Sequence, residues 1–160
     1  MNFLKRLFGR QEAPVELPPE FLQDIAPDWL IDLKGQGPQG APFSIRAQIV
    51  SAARTGTADI TLLPGAQGGE AKSATVALEK TELDRLFVIL GFSFPADIQD
   101  APGGTEAGMP ATVAIHRREP YTLATGQCQL AEWIDSRKPG PPLVEIARVL
   151  MEVQRRAGLT

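Results

Sequence analysis

Cysteine and histidine are nearly absent from this chain, with one of each in 160 residues. A single cysteine cannot close an internal disulfide, and one cysteine with one histidine cannot supply the ligands of a structural zinc site. A centre built on several histidines and a multi-cysteine cluster are excluded by the same count, so no metal or cofactor is expected. Long apolar runs are missing as well. The longest, Leu86-Phe87-Val88-Ile89-Leu90, falls far short of the roughly 20 residues that a membrane-spanning helix needs. An excess of positive charge is also lacking. The net charge is -3 and the isoelectric point is near 5.2, which argues against nucleic acid as a partner. No apolar signal-peptide core follows the N-terminal bases, position 2 is Asn rather than a myristoylated Gly, and the C-terminal Ala157-Gly158-Leu159-Thr160 offers no prenylatable cysteine. A bacterial-type cytoplasmic protein is the expectation, and the unpaired Cys128 agrees with a reducing compartment.

Glycine and proline are plentiful, at 15 and 14 residues, well above their usual combined share of about 12%. They gather between segments of regular hydrophobic period, where they punctuate a folded chain. Charge is distributed unevenly at the N-terminus. Residues 1–10 carry Lys5, Arg6 and Arg10 without an acid, whereas residues 11–33 carry Glu12, Glu16, Glu20, Asp24, Asp28 and Asp32 without a base. On a helical wheel Phe3, Leu4, Leu7 and Phe8 share one arc and the bases lie outside it, which makes a basic amphipathic segment. A Pro- and Glu-rich linker follows from Gln11 to Pro19, then a short helix from Pro19 to Ile25. Residues 1–41 thus read as an arm, and residues 42–160 as a single domain.

Within that domain, Ser44–Ile49, Thr57–Leu62 and Ser73–Leu78 alternate polar and apolar residues, as half-buried strands do. The period then becomes helical. Thr81 and Asp84 have capping-box spacing, Leu83, Leu86, Phe87 and Leu90 share a face, and Gly91 is placed to end the helix in a left-handed conformation. Val88 and Ile89 leave the last turn apolar nearly all round, so the helix is expected to be buried deeply or covered by another element. Two further strand patterns, Ala111–His116 and Tyr121–Thr125, flank a bend at Arg117–Pro120. A short helix is expected over Gln129–Asp135. After the break Pro139–Pro142 comes a final helix from about Leu143, with an apolar stripe of Leu143, Ile146, Ala147, Leu150, Val153 and Ala157. The fold class expected is α+β, a mostly antiparallel sheet of about five strands with a mid-chain helix and C-terminal helices packed on it.

Several motifs invite a chemical reading. Gly65-Ala66-Gln67-Gly68-Gly69-Glu70-Ala71-Lys72-Ser73 follows a strand and ends in Lys-Ser. A phosphate-binding loop requires Gly directly before the Lys and a helix directly after. Ala71 and a strand pattern stand there instead, so a hairpin loop is expected. Cys128 could act as a nucleophile if His116 lay within hydrogen-bonding reach, yet a lone Cys near Leu130 and Trp133 reads as a small core residue. Arg117 and Arg118 beside His116 could form a small anion patch. Asp97, Asp100 and Glu106 in the long turn-rich stretch 93–110 are the carboxylate cluster to weigh for acid–base chemistry, which needs a cleft and a raised pKa. Acids on a solvated loop read as ordinary surface, and the ligand spacing of a calcium loop is absent. No catalytic constellation emerges, and no enzyme activity is expected.

The N-terminal segment supplies the candidate contact residues: Phe3, Leu4, Lys5, Arg6, Leu7, Phe8 and Arg10. Burying the four apolar side chains while the bases meet anionic lipid would attach the chain to a membrane surface. Such a short helix is marginal alone, and each base contributes only ~1 kcal/mol near an anionic leaflet. The same face would equally suit a groove on a protein partner or on its own domain, and a frayed, solvated tail is the plain alternative to both.

The element order, with strands, a helix leaving through Gly91-Phe92-Ser93-Phe94-Pro95, an acid-containing loop, a second hairpin and a terminal helix, resembles emfourin-type domains over residues 43–157. Those are small inhibitors of thermolysin-like metalloproteases. The resemblance implies a small binding module. No inhibitory motif matches residue by residue, and the charged N-terminal arm and the Pro139–Pro142 break depart from the pattern. The reading is therefore a non-enzymatic protein-interaction module, an inhibitor or adaptor, with loops 64–72 or 99–110 as contact surface. The alternative is a peripheral membrane scaffold recruited by residues 1–10. Oligomeric state is left open.

Overall fold

The computed structural model describes residues 27–37, 40–92, 110–117, 122–129 and 139–159. Among the described residues six strands form one sheet: β1 (Trp29–Gln36), β2 (Pro42–Val50), β3 (Thr55–Leu62), β4 (Lys72–Ala77), β5 (Pro110–Arg117) and β6 (Thr122–Gln129). Helix α1 spans Lys80–Phe92 and α2 spans Pro142–Arg156. Neighbouring strands run antiparallel in the order β4-β3-β2-β1-β5-β6. The α+β class is as the residue pattern expects.

The strand beyond the expected five is β1, which the acidic run 11–33 assigns to the arm. It lies at the centre of the sheet, paired along its length with β2 and along most of it with β5. Among the described residues the sheet therefore begins at Trp29 rather than at residue 42. The last strand also runs longer than its pattern. β6 continues through Cys128 and Gln129, so Gln129 closes a strand instead of opening a helix. The helices expected over 19–25 and 129–135, apart from Gln129 itself, lie outside the described residues.

Alternation explains the layers. Ile31, Leu33, Phe43, Ile45, Ala47, Ile49, Ala58, Ile60, Val113 and Ile115 point to one face of the sheet, where they join Leu83 and Leu86 of α1 and the buried face of α2 in a single core. Both helices thus cover the same side. Helix α2 buries more than the stripe read from sequence, adding Val144, Val149 and Gln154, because it contacts both the sheet and α1.

Local rules allow alternative solutions for α1, and tertiary contacts select between them. The back-bond at its start runs from the Glu79 N–H to Glu82 Oε2 at 2.7 Å, not between Thr81 and Asp84. Glu82 also binds Arg156 of α2, and that tertiary anchor fixes the register. Gly91 lies inside the helix and lacks a positive φ. Val88 is 57% exposed, so its part of the last turns is uncovered. Among the described residues a left-handed helix cap is found at the end of α2. Gly158 has φ 73, its N–H meets Arg155 O at 3.0 Å, and Leu159 N–H reaches Gln154 O at 3.3 Å, which together make a Schellman motif.

These two glycines predict opposite signs. Gly91→Ala should raise stability by about 0.5 kcal/mol, since it removes unfolded-state entropy from a helical site. Among the described residues outside its own helix backbone, the added Cβ would meet nothing within 4 Å. Gly158→Ala should cost about 1 kcal/mol because an L side chain disfavours the left-handed region. Urea midpoints of the two variants check both. A loss at Gly91 would place the helix end where the sequence pattern puts it.

Candidate functional site

None of the residues proposed from sequence as membrane or partner contacts (Phe3, Leu4, Lys5, Arg6, Leu7, Phe8 and Arg10) lies among the described residues, nor do Asp97, Asp100, Glu106 and Arg118. The Gly-rich segment does. It closes the β3–β4 hairpin through a bridge between Gly65 and Gly68, with Gly68 at φ 82 and Gly69 at φ 136. Lys72 then opens a strand, so the loop leads into a strand and not into a helix N-terminus.

Cys128 and His116 are not brought together. Cys128 pairs with Ala111 at one end of the β5–β6 hairpin, and His116 pairs with Thr122 at the other. At roughly 3.4 Å per residue the two ends stand about 17 Å apart. Among the described residues no group of three or more His, Cys, Asp or Glu side chains is placed to hold a metal ion. None of the described helices is long and apolar enough to cross a membrane.

The structure instead assembles an ordered polar surface on the sheet face opposite the helices. The registers align Thr75, Asp59, Arg46, Asp32 and Ala114 in one row across five strands. Arg46 binds Asp32 through two hydrogen bonds, Nε to Oδ1 at 2.7 Å and an Nη to Oδ2 at 3.0 Å. His116 Nε2 lies 3.5 Å from Asp32 Oδ2. Thr75 donates to Asp59 Oδ1 at 2.6 Å, and Gln48 donates to Asp59 Oδ2 at 3.2 Å. A second row carries Ser73, Thr61, Ser44, Lys34 and Thr112. This row adjoins the hairpin tip at residues 64–71.

Two-point guanidinium–carboxylate contacts are directional as well as charged. They hold Arg46 in one geometry while leaving its side chain 49% exposed, whereas that of Asp32 is only 13% exposed. Much of the entropy of ordering this surface is thus spent before any partner arrives. Exposed Lys34 and its flanking hydroxyls supply donors and acceptors to the same surface. Among the described residues Leu30 is the one large buried apolar residue here. It is 9% exposed and stands apart from the main core.

A second polar cluster braces one end of the sheet. Asp28 Oδ1 accepts the Ser51 N–H at 2.7 Å. Burial opposes ionisation of Asp28, but hydrogen bonds from Ser51 and its own N–H, aided by the Arg117 charge, outweigh it and hold the carboxyl below its usual range. The turn that Asp28 secures ends in Arg54, whose φ of 49 is left-handed. Arg54 binds Asp84 at 2.9 Å and lies over the Phe87 ring at 5.3 Å, contacts that offset a backbone cost of about 1 kcal/mol. Hydrogen bonds from Lys80 and Arg54 lower the Asp84 pKa in turn. Arg117, read from sequence as part of an anion patch, stacks over Trp29 at 5.2 Å.

A depressed folded-state pKa adds stability above the unfolded value, and that contribution disappears as pH falls through the folded value. Asp28→Asn should therefore cost about 1 kcal/mol at pH 7. The gap from the natural protein should close below about pH 4. Urea titrations at pH 7 and pH 3 check this, and a gap independent of pH would count against it.

Sequence reasoning misses the Asp32–Arg46 pair and the rows around it. The polar positions of Ser44–Ile49 and Thr57–Leu62 signal an exposed face, but nothing local signals which residues meet across strands. Compared with known sequences, the chain matches no protein-family model and no curated protein, so the geometry of this face carries the functional reading.

Proposed function

We propose that the chain is a non-enzymatic protein-interaction module, an inhibitor or adaptor, whose contact surface is the sheet face opposite α1 and α2 together with the 64–71 hairpin tip. The observation that carries this reading is the two-row polar array, ordered by Arg46–Asp32 and Thr75–Asp59–Gln48 and including exposed Lys34. Its alternating donors, acceptors and opposite charges suit a protein surface better than a single-sign ligand. The element-order resemblance to emfourin-type inhibitors implies the same class.

Affinity capture from the source cell, followed by cross-linking of a stoichiometric partner, tests the reading when three baits are compared. Lys34→Glu should lose the partner at least tenfold relative to the natural chain. Arg155→Glu, on the exposed side of α2, should retain it. Equal capture by both variants would refute this contact surface.

The basic amphipathic pattern of residues 1–10 favours a second reading, a peripheral membrane scaffold in the cytoplasm. Co-sedimentation with anionic vesicles should then require those ten residues. Equal pelleting of the full chain and a version lacking them would exclude it.

A further inference from the structure

Strand β4 stands at one end of the sheet order, with β3 as its neighbour among the described strands. Its main-chain directions follow from two hydrogen bonds. Leu78 N–H meets Gly56 O at 2.9 Å, so in the antiparallel β3–β4 ladder Val76, Ala74 and Lys72 also turn their main-chain groups toward β3. Ser73, Thr75 and Ala77 must then turn theirs outward. The Ala77 carbonyl confirms the alternation, because it accepts a hydrogen bond from an Arg156 Nη at 2.8 Å.

An outward row of this kind templates pairing with another strand unless something blunts it. Proline, glycine and register shifts are all missing from β4, and Lys72, at its first position, is its only charge. The opposite edge differs, since the β5–β6 pair carries a register shift between Ile115 and His116.

We propose that β4 is a homodimerisation edge, pairing antiparallel with β4 of a second copy about a two-fold axis at Thr75. Directly opposite residues in an antiparallel pair lie on the same face, which restricts the register. Centring on Thr75 sets Thr75 against itself, Ser73 against Ala77, and Ala74 against Val76. Every outward N–H and C=O of β4 then finds a partner. The Ala77 carbonyl serves both Arg156 and the Ser73 N–H of the copy, as its two lone pairs allow. Like charges do not meet within the paired strands. Half-buried Ala74 and Val76 form an apolar strip across the axis on the helix side, while hydroxyls and Ala77 line the other side.

The helices permit this arrangement. Helix α1 contacts β3, which lies about 7 Å from such an axis at ~4.8 Å per strand. Helices seated over β3 in the two copies would stand about 14 Å apart, beyond the 8–10 Å of direct helix packing. Pairing would continue both layers, extending the polar rows and the helix-covered core across the axis.

Sedimentation velocity of the full chain from about 1 to 100 μM tests the proposal. A dimer is expected for the natural protein. Thr75→Pro removes an outward N–H that β3 does not use, and Thr75→Arg sets two like charges face to face on the axis. Both should sediment as monomers over the same range with native circular dichroism. If Thr75→Pro fails to fold, Thr75→Arg alone decides. A natural protein that stays monomeric throughout, or a dimer that survives Thr75→Arg, overturns the assignment.

Discussion

Replacing Glu82 with alanine is expected to cost the fold about 2–3 kcal/mol, reading as a lower urea midpoint at pH 7. The Glu82 side chain is 8% exposed and accepts from Arg156 at both carboxylate oxygens, each at 2.9 Å. Its Oε2 also receives the Glu79 N–H at 2.7 Å. One side chain thus joins the start of α1 to the end of α2, and through Arg156 to the Ala77 carbonyl of β4. Hydrogen bonding to Glu82 raises the Arg156 pKa, although burial opposes it, so the guanidinium stays charged. Removing the carboxylate leaves Arg156 with Glu79 at 3.6 Å and leaves the first turn of α1 without its back-bond. Breaking a buried ion pair typically costs about 3–5 kcal/mol. The Arg156 side chain is 33% exposed and water can reach it, which places the effect below that range. Glu82→Gln should lose about half as much, because it keeps an acceptor for the Glu79 N–H. A double-mutant cycle with Arg156→Ala should return a coupling of at least about 1 kcal/mol. Additive losses would mean that Glu82 acts through its cap alone.

The same contact shows why parts of the fold are legible in the sequence and parts are not. Strands β2 and β3 bury one face and present polar residues on the other, so their alternation is written plainly. Strand β1 hides its period. Leu30 is nearly buried on the face opposite Ile31 and Leu33, which makes Trp29-Leu30-Ile31 a continuous apolar run, and its acids resemble those of the preceding segment. For α1, Glu79/Glu82 and Thr81/Asp84 both have the spacing of a cap, and the choice depends on Arg156, 74 residues after Glu82. The candidate site is harder still. Asp32 meets Arg46 because a β1–β2 register sets them opposite, and His116 joins them from a third strand. Register is a property of the whole sheet, and a slip of one residue would turn every one of these side chains into the core. Cys128 and His116 illustrate the converse. Near one another in sequence, they are carried to opposite ends of a hairpin.

Gly56→Ala is expected to destabilise the protein by about 2–3 kcal/mol, although adding a β-carbon to a strand glycine ordinarily helps by about 0.5–1 kcal/mol. The sign reverses because of what the new atom would meet. A Cβ at Gly56 would stand 2.8 Å from Leu78 Cδ1, 2.9 Å from Gln48 O and 3.3 Å from Leu83 Cδ2. The two leucines are buried, at 7% and 4% exposure, so neither can swing into solvent. The Gln48 oxygen belongs to the main chain of β2, and moving it would disturb the ladder that sets the polar rows. Strand β3 must approach this closely because the Gly56 carbonyl accepts the Leu78 N–H at 2.9 Å, the last tie before the chain turns into α1. Shortening Leu78 to valine in the Gly56→Ala background should recover part of the loss, leaving the share due to Gln48 O. No recovery would place the whole effect on the β2 backbone. A neutral or stabilising Gly56→Ala would mean that α1 sits farther from the sheet than these contacts require.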